Sequence, residues 1–170
     1  MAGKLIQVAT HTITTPVNNF TITGIDSDDV YMIAFSNVGV NTDSSYVLCQ
    51  VGTTSGTSTT DYARAEKVLK SNTTFQNNYS NSTIECQLCY FIGNATNEKG
   101  NGIIYLYNMY NASEYSFGTV ETVYMNASDN SWGLAGGFVH KVAEQNDRFI
   151  FKNNGSNTLT SGTFTLYRVV

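Results

Sequence analysis

Residues 161–170 read SGTFTLYRVV, a stretch in which polar and apolar side chains alternate. On an extended chain Phe164 and Leu166 point to one side while Thr163 and Thr165 point to the other, because successive side chains of a strand lie on opposite faces. An apolar row beside a mostly polar row is typical of a strand with one face in the core. The stretch therefore predicts a half-buried strand at the end of the chain.

The same kind of pattern recurs along the whole sequence. Short apolar or alternating runs follow one another at intervals of about ten residues, with turn residues between them. Examples are FTITGI at 20–25, TIECQLCYFI at 83–92 and RFIFKNN at 148–154. This spacing predicts an all-β fold, an antiparallel β-sandwich, over residues 1–170 as one domain. Residues 60–71, TDYARAEKVLKS, fit a helix as well as a strand, and the sequence leaves both open.

Composition and charge exclude several classes of protein. The chain has 170 residues, of which 41% are hydrophobic and 13% charged, and its formal net charge is -4. A domain of this length buries a core without needing disulfides or metals. Since no cluster of Lys and Arg occurs, nucleic acid is not an expected partner. No run approaches the roughly 20 apolar residues of a membrane span, and the start lacks a secretory apolar segment, so we expect synthesis in a cytoplasm.

The sequence offers motifs that resemble reactive or metal-binding sites, but none is complete. Cys86 and Cys89 have the spacing of a redox or zinc pair. On a strand, however, residues three apart are separated by roughly 10 Å, which is too far for a disulfide. We therefore predict that these two cysteines and Cys49 are buried free thiols. Residues 24–31, GIDSDDVY, predict a solvated turn, because the positions after the aspartates lack the ligands of a calcium loop.

No catalytic constellation is visible either. His140 is the candidate base in an interior strand, but no nucleophile motif accompanies it, so we interpret it as a structural strand residue. The sequence predicts no catalytic residue, no metal ligand and no cofactor, and hence a protein that is not an enzyme.

Two stretches are apolar on both sides of the predicted strand. In VYMIAFSNV, residues 30–38, both alternating sets are apolar, which predicts cover on both faces. In GIIYLYNMY, residues 102–110, Ile104 and Leu106 form one face and an aromatic strip forms the other. Large apolar patches seldom go unused, so this strip predicts a contact with another subunit or, alternatively, a platform for sugar rings. The candidate residues are Tyr105, Tyr107, Met109 and Tyr110.

Three stretches together resemble a known family. Residues 24–38, residues 101–122 and residues 136–170 are similar to small structural proteins of tailed bacteriophages, especially phages of cyanobacteria. The stretch at 161–170 corresponds to an SGTFTLYKV ending in that family, found on short virion proteins and at the tips of longer tail fibres. The similarity covers most of the chain and is weakest over residues 41–83.

The resemblance implies a jelly-roll-like β-sandwich that assembles with itself on the outside of a virion. It implies a homo-oligomer, most simply a trimer, that docks on the major capsid protein or on a fibre. A capsid decoration or cement protein, or a head appendage, is the function expected first. The alternative is the receptor-binding tip module of a tail fibre that binds a host surface glycan. The resemblance carries no catalytic residue and implies neither nucleic acid binding nor membrane insertion.

Overall fold

All regular elements within residues 3–170 are β-strands. The computed structural model describes residues 3–170. Within them no helix is long and apolar enough to cross a bilayer. In chain order the strands are β1 (Leu5–Thr12), β2 (Asn19–Thr23), β3 (Val30–Val40), β4 (Ser45–Thr53), β5 (Gly56–Thr57), β6 (Tyr62–Lys70), β7 (Gln76–Thr83), β8 (Cys86–Ile92), β9 (Gly100–Tyr107), β10 (Ser116–Met125), β11 (Ser131–His140), β12 (Arg148–Asn153) and β13 (Leu159–Val169).

The strands form two antiparallel sheets that pack as a sandwich. The large sheet has eight strands in the order β1-β13-β3-β9-β10-β11-β6-β7. The small sheet has five strands, in the order β2-β12-β4-β5, with β8 also paired to β4. Every pairing is antiparallel. The all-β antiparallel sandwich expected from the sequence is thus confirmed.

Both ends of the described chain belong to the large sheet. β13 lies between β1 and β3, with Leu5 opposite Val169 at one end of the β1 pairing. Phe164 and Leu166 are fully buried, which confirms the half-buried strand predicted from the alternation. Strand pairing on both sides satisfies the backbone N–H and C=O groups of β13 and holds this segment in the sheet.

The ambiguous stretch at 60–71 contains a strand, β6, and not a helix. β6 lies between β11 and β7 in the large sheet. Its buried side chains alternate, since Tyr62, Glu66 and Val68 are buried whereas Ala65 and Lys67 are exposed. Pairing with two neighbouring strands outweighs the small intrinsic preference of Ala, Glu, Lys and Leu for helix.

Phenylalanine side chains from both sheets form the centre of the core. The ring centroid of Phe151, on β12 of the small sheet, lies 4.5 Å from that of Phe164 and 6.0 Å from that of Phe35 in the large sheet. Phe20 and Phe149 pack beside it in the small sheet at 5.3 and 5.0 Å. Interdigitation of such rows holds two sheets together about 10 Å apart.

β3 has two unlike faces. Its buried residues, such as Ile33 and Phe35, point towards the small sheet, because Phe35 contacts Phe151 there. The other set, including Met32 and Ala34, is half-buried and points away from the small sheet. The cover predicted on both faces of this strand is therefore not supplied by the small sheet, and the outward apolar set is only partly sheltered.

Truncation of Phe151 tests the role of this aromatic cluster. We expect Phe151→Ala to lower the free energy of unfolding by about 3–5 kcal/mol. The phenylalanine side chain fills the space between the sheets, so its truncation leaves a cavity there. Ile84→Ala is the matched control, because Ile84 is 56% exposed, and it should change stability by less than about 0.5 kcal/mol. Urea unfolding at one fixed protein concentration measures both, and equal effects would contradict the assigned core.

Candidate functional site: the outer face of the large sheet

The surface of the large sheet that points away from the small sheet is the candidate site, and we call it the outer face. The pairing registers align its side chains in rows across β9, β10, β11 and β6. One row runs Ile103, Glu121, Ala135, Lys67. The next row runs Tyr105, Thr119, Gly137, Ala65. Since strands lie about 4.8 Å apart, these rows form a continuous surface four strands wide.

The outer face divides into two halves that differ in the size of their side chains. The large half lies on β3, β9 and β10 and carries bulky side chains: Met32, Ile103, Tyr105, Tyr107, Phe117 and Val123. The small half lies on β11 and β6 and has a floor of Gly and Ala: Gly133, Ala135, Gly137, Ala63 and Ala65. Leu69 and Val139 stand at opposite ends of that floor. Shallow depressions lie on this floor, and two of them extend across β10 to Ile103 on β9.

Bulky apolar side chains of the outer face are open to solvent in the single chain. Val123 is 54% exposed, Phe117 40% and Leu69 38%. Tyr105 and Tyr107 beside them are half-buried. Val123 and Leu69 lie in one row, whereas Phe117 lies six residues away along β10, so the exposed apolar side chains stand at the two ends of the outer face. Several large apolar side chains exposed on one face of a sheet indicate a contact with another molecule.

Two charged side chains stand on these rows. Glu121 on β10 belongs to the large half and Lys67 on β6 to the small half, in the same row with Ala135 between them. The Lys67 ammonium donates a hydrogen bond to Asn77 Oδ1 at 3.0 Å. Within residues 3–170 neither side chain forms an ion pair.

The aromatic strip predicted from the sequence is partly correct. Tyr105 and Tyr107 lie on the outer face, as expected from the alternation of β9. Met109 does not, because β9 ends at Tyr107 and Asn108 takes a φ of +55°, which changes the direction of the chain. Met109 is fully buried in the core, so its assignment to the strip is wrong. Tyr110 is half-buried beyond the strand and is not part of the rows.

Most of the outer face is not predicted by the sequence. Phe117 and Val123 alternate with inward residues along β10, and this period of two in SFGTVETVYM was the available signal. The small half had no comparable signal, because Ala and Gly on β11 and β6 do not reveal from sequence which side of a sheet they occupy. Only the registers between β10, β11 and β6 join them to Tyr105.

No protein-family model matches the chain, and no curated protein is significantly similar to it. Function is therefore indicated by the side chains themselves, both on the outer face and in the interior.

The buried polar cluster around His140 lies in the interior, away from the outer face. Asn146 Nδ2 donates to Ser116 Oγ at 3.0 Å and lies 3.4 Å from His140 Nδ1, and Ser116 Oγ donates to the carbonyl oxygen of Asn108 at 3.3 Å. Ser116, His140 and Asn146 are all fully buried. Burial lowers the pKa of His140, and the carboxylate of Glu144 opposes this shift. A neutral His140 in a closed cluster joins the end of β11 to the segment before β12.

The three cysteines are free and buried, in agreement with the predicted thiols. Cys49 on β4 is the register partner of Cys86 on β8. Burial raises the pKa of the Cys49 and Cys89 thiols, and the neighbouring Cys86 adds to the shift at Cys49. Thiols in this state are poor nucleophiles, because the thiolate is the reactive form.

In the aspartate-rich stretch at 24–31, residues 24–29 form a turn between β2 and β3, as expected, and residues 30 and 31 begin β3. Tyr31 Oη donates to Asp26 Oδ1 at 3.0 Å, and Ser27 Oγ donates to Asp29 Oδ2 at 2.8 Å. Arg168 lies 3.7 Å from Asp29. These contacts join the turn to β13. Among residues 3–170, no three His, Cys, Asp or Glu side chains gather in a way that could hold a metal ion.

A buried carboxyl group lies directly beneath the small half. Glu66 is 7% exposed, and burial raises its pKa to about 8, although the Arg64 guanidinium acts in the opposite direction. Asn78 Nδ2 donates to Glu66 Oε2 at 2.7 Å and also to Gln87 Oε1 at 2.7 Å. Asn78 thus connects β6, β7 and β8, and Glu66 holds its proton at neutral pH.

The raised pKa of Glu66 makes stability depend on pH. Between pH 4.5 and pH 8 the folded chain keeps a proton that the unfolded chain has lost, so the free energy of unfolding falls as pH rises through this window. We expect Glu66→Gln to remove this slope and to stabilise the protein by on the order of 4 kcal/mol at pH 8, with little effect at pH 4.5. Thermal unfolding from pH 4.5 to 8.5 measures the slope.

Glu114→Gln is the control for this experiment, because Glu114 is an exposed carboxylate in the segment before β10. It should leave the pH slope of the wild type unchanged. A Glu66→Gln variant that kept the wild-type slope would contradict a protonated Glu66 in the native state.

Proposed function

We propose that the chain is a non-enzymatic structural protein of a tailed-bacteriophage virion. In this proposal it associates with itself on the outside of the particle, as a capsid decoration or cement protein or as part of a head appendage. The observation that carries the self-association is the outer face, where Val123, Phe117 and Leu69 are exposed in one surface. The burial of Ser116, His140 and Asn146 supports a structural role, because substrate does not reach them.

The order of the strands supports the jelly-roll-like form of the sandwich. In the large sheet β1, β13, β3 and β9 are neighbours, and in the small sheet β2, β12, β4 and β8 are neighbours. The chain alternates between the two sheets from β1 through β4 and again from β8 to β9 and from β12 to β13. Eight strands in two such sheets are what the proposed jelly roll requires. The strands β10, β11, β6 and β7 extend the large sheet and present most of the outer face.

The virion location rests on the resemblance to phage structural proteins. The stretches that carry the resemblance form most of β3, β9 and β10, the second half of β11, and all of β12 and β13, and they include most of the large half of the outer face. In the proposed role one copy contacts others, as a trimer in its simplest form, and also contacts the major capsid protein or a fibre. In an oligomer with closed rotational symmetry, the apolar face of every copy is covered by another copy.

A second candidate function is binding of a host surface glycan at the tip of a tail fibre. Tyr105 and Tyr107 are half-buried and adjacent on the outer face, and Glu121 stands diagonally across from Tyr105, opposite Ile103. Aromatic side chains next to a carboxylate suit stacking on a sugar ring with hydrogen bonds to its hydroxyl groups. This function uses the large half alone and leaves the small half without a role, so we rank it second.

Self-association is the first test of the proposed function. We expect sedimentation and light scattering to show an oligomer at about 10 μM, and Val123→Lys to raise the dissociation constant at least about tenfold, because a charge would be buried in an apolar contact. Ile84→Lys is the control, since Ile84 is about as exposed to solvent as Val123 but lies in the turn before β8. A wild-type monomer would contradict the proposal. Mass spectrometry of purified particles tests the virion location, and absence of the chain from them would contradict it.

A glycan-binding role predicts a different pattern. If the second function holds, a Tyr105→Ala/Tyr107→Ala variant loses adsorption to host cells or binding on a glycan array by tenfold or more, since stacking contributes about 1–3 kcal/mol per ring by analogy with base stacking. Tyr79→Ala serves as the control, because Tyr79 is an exposed tyrosine on the edge strand β7. Equal binding by both variants removes the large half from any glycan site.

A further inference from the structure

The two halves of the outer face differ in shape in a complementary way. The large half presents the bulky side chains of Ile103, Tyr105 and Val123, whereas the small half presents Ala65, Ala135 and neighbouring glycines as a floor. When two sheets pack face to face, the side chains of one fill the spaces left by the other. A surface of bulky side chains therefore fits a surface of small ones, and two bulky surfaces do not fit each other.

The two halves also differ in charge. Glu121 stands on the large half and Lys67 on the small half, in one row and two strands apart, which is about 10 Å. Within residues 3–170 neither has an ion-pair partner. If two copies met with like halves in contact, Glu121 would face Glu121 and Lys67 would face Lys67, which is unfavourable when the contact excludes water.

We propose that the large half of one copy packs on the small half of a second copy of this chain, so that Glu121 of the first pairs with Lys67 of the second. This inference rests on the self-association proposed above and specifies which surfaces meet. The partner of the outer face is another copy of the chain. Each half of this surface complements the other half both in the size of its side chains and in charge.

Rotational symmetry produces this pairing directly. A two-fold axis that lies between two facing sheets and runs parallel to β11 near Ala135 turns the row Glu121, Ala135, Lys67 end for end and places each charge opposite its counterpart. Around a three-fold axis, the large half of each copy meets the small half of the next in the same sense around the ring. The pairing of halves is the same in both arrangements, and the number of copies is a separate property.

Charge reversal tests the pairing. Lys67→Glu and Glu121→Lys each place like charges across the contact, and each should raise the dissociation constant of the oligomer tenfold or more at low salt. The double variant Lys67→Glu/Glu121→Lys restores opposite charges and should return to within about threefold of the wild type, since a charge pair in contact is coupled and not additive. Lys4→Glu and Asp28→Lys are the controls, because both residues are exposed and lie off the outer face. Sedimentation at 20 and 500 mM salt measures all variants.

Mixing the two single variants distinguishes a two-fold pair from a three-membered ring. In a two-fold pair, one Lys67→Glu copy and one Glu121→Lys copy have opposite charges at both contacts, so the mixture should assemble as well as the wild type. In a three-membered ring two neighbouring copies are always alike, so the mixture should be rescued only in part. No rescue by mixing and no rescue in the double variant together would overturn the pairing.

A second variant tests the relief independently of charge. Ala65→Trp fills the floor of the small half and should weaken the oligomer tenfold or more, whereas Val8→Trp, at an exposed bulge of β1, should not. If the wild type forms an oligomer that Val123→Lys disrupts but that tolerates every charge reversal and Ala65→Trp, the pairing of halves is wrong and the proposed self-association stands. If the wild type is a monomer, both are wrong.

Discussion

The contact of Phe151 with Phe35 and Phe164 sets how the two sheets face each other. Phe35 and Phe164 are register partners on β3 and β13, so a single ring from β12 is placed against a pair of rings from the large sheet. Because successive side chains of a strand alternate, fixing the inward row of β3 also fixes Met32 and Ala34 outward. The position of the outer face is therefore a consequence of the core, and a register slip of one residue would exchange the two.

The extension of the large sheet depends on close approach between β9, β10 and β11. At Gly118 a Cβ atom would lie 2.3 Å from the ring of Phe138 on the neighbouring strand, so glycine makes room for that ring in the core. At Gly102 a Cβ atom would lie 2.7 Å from the carbonyl oxygen of Glu121. Small residues at such positions allow strands to lie flat against one another. They carry the large sheet over β8 of the small sheet, which covers the inner side of β10, β11 and β6.

A strand could be predicted from the sequence where its polar and apolar residues alternate clearly. β13 and the class of fold could be predicted because Phe164 and Leu166 alternate with polar residues in a run bounded by turns. β6 could not be assigned, because its residues suit a helix and only pairing with β11 and β7 decides. Met109 was misplaced because a positive φ at Asn108 ends the alternation of β9 one residue after Tyr107, and local sequence gives Asn there no distinct signal. The small half could not be predicted, because the residues that form it are brought together only by the pairing registers of strands that are distant in sequence.

The two features of the outer face contribute differently to the proposed contact between copies. Each copy carries a formal net charge of -4, so copies repel one another at long range, and the free energy of association has to come from burial of apolar surface. That burial is non-directional and would tolerate several orientations of one sheet on another. One acidic and one basic group on opposite halves remove this freedom, because only the alignment of unlike halves neutralises both charges. Apolar area thus gives the contact its strength, while Glu121 and Lys67 determine its orientation.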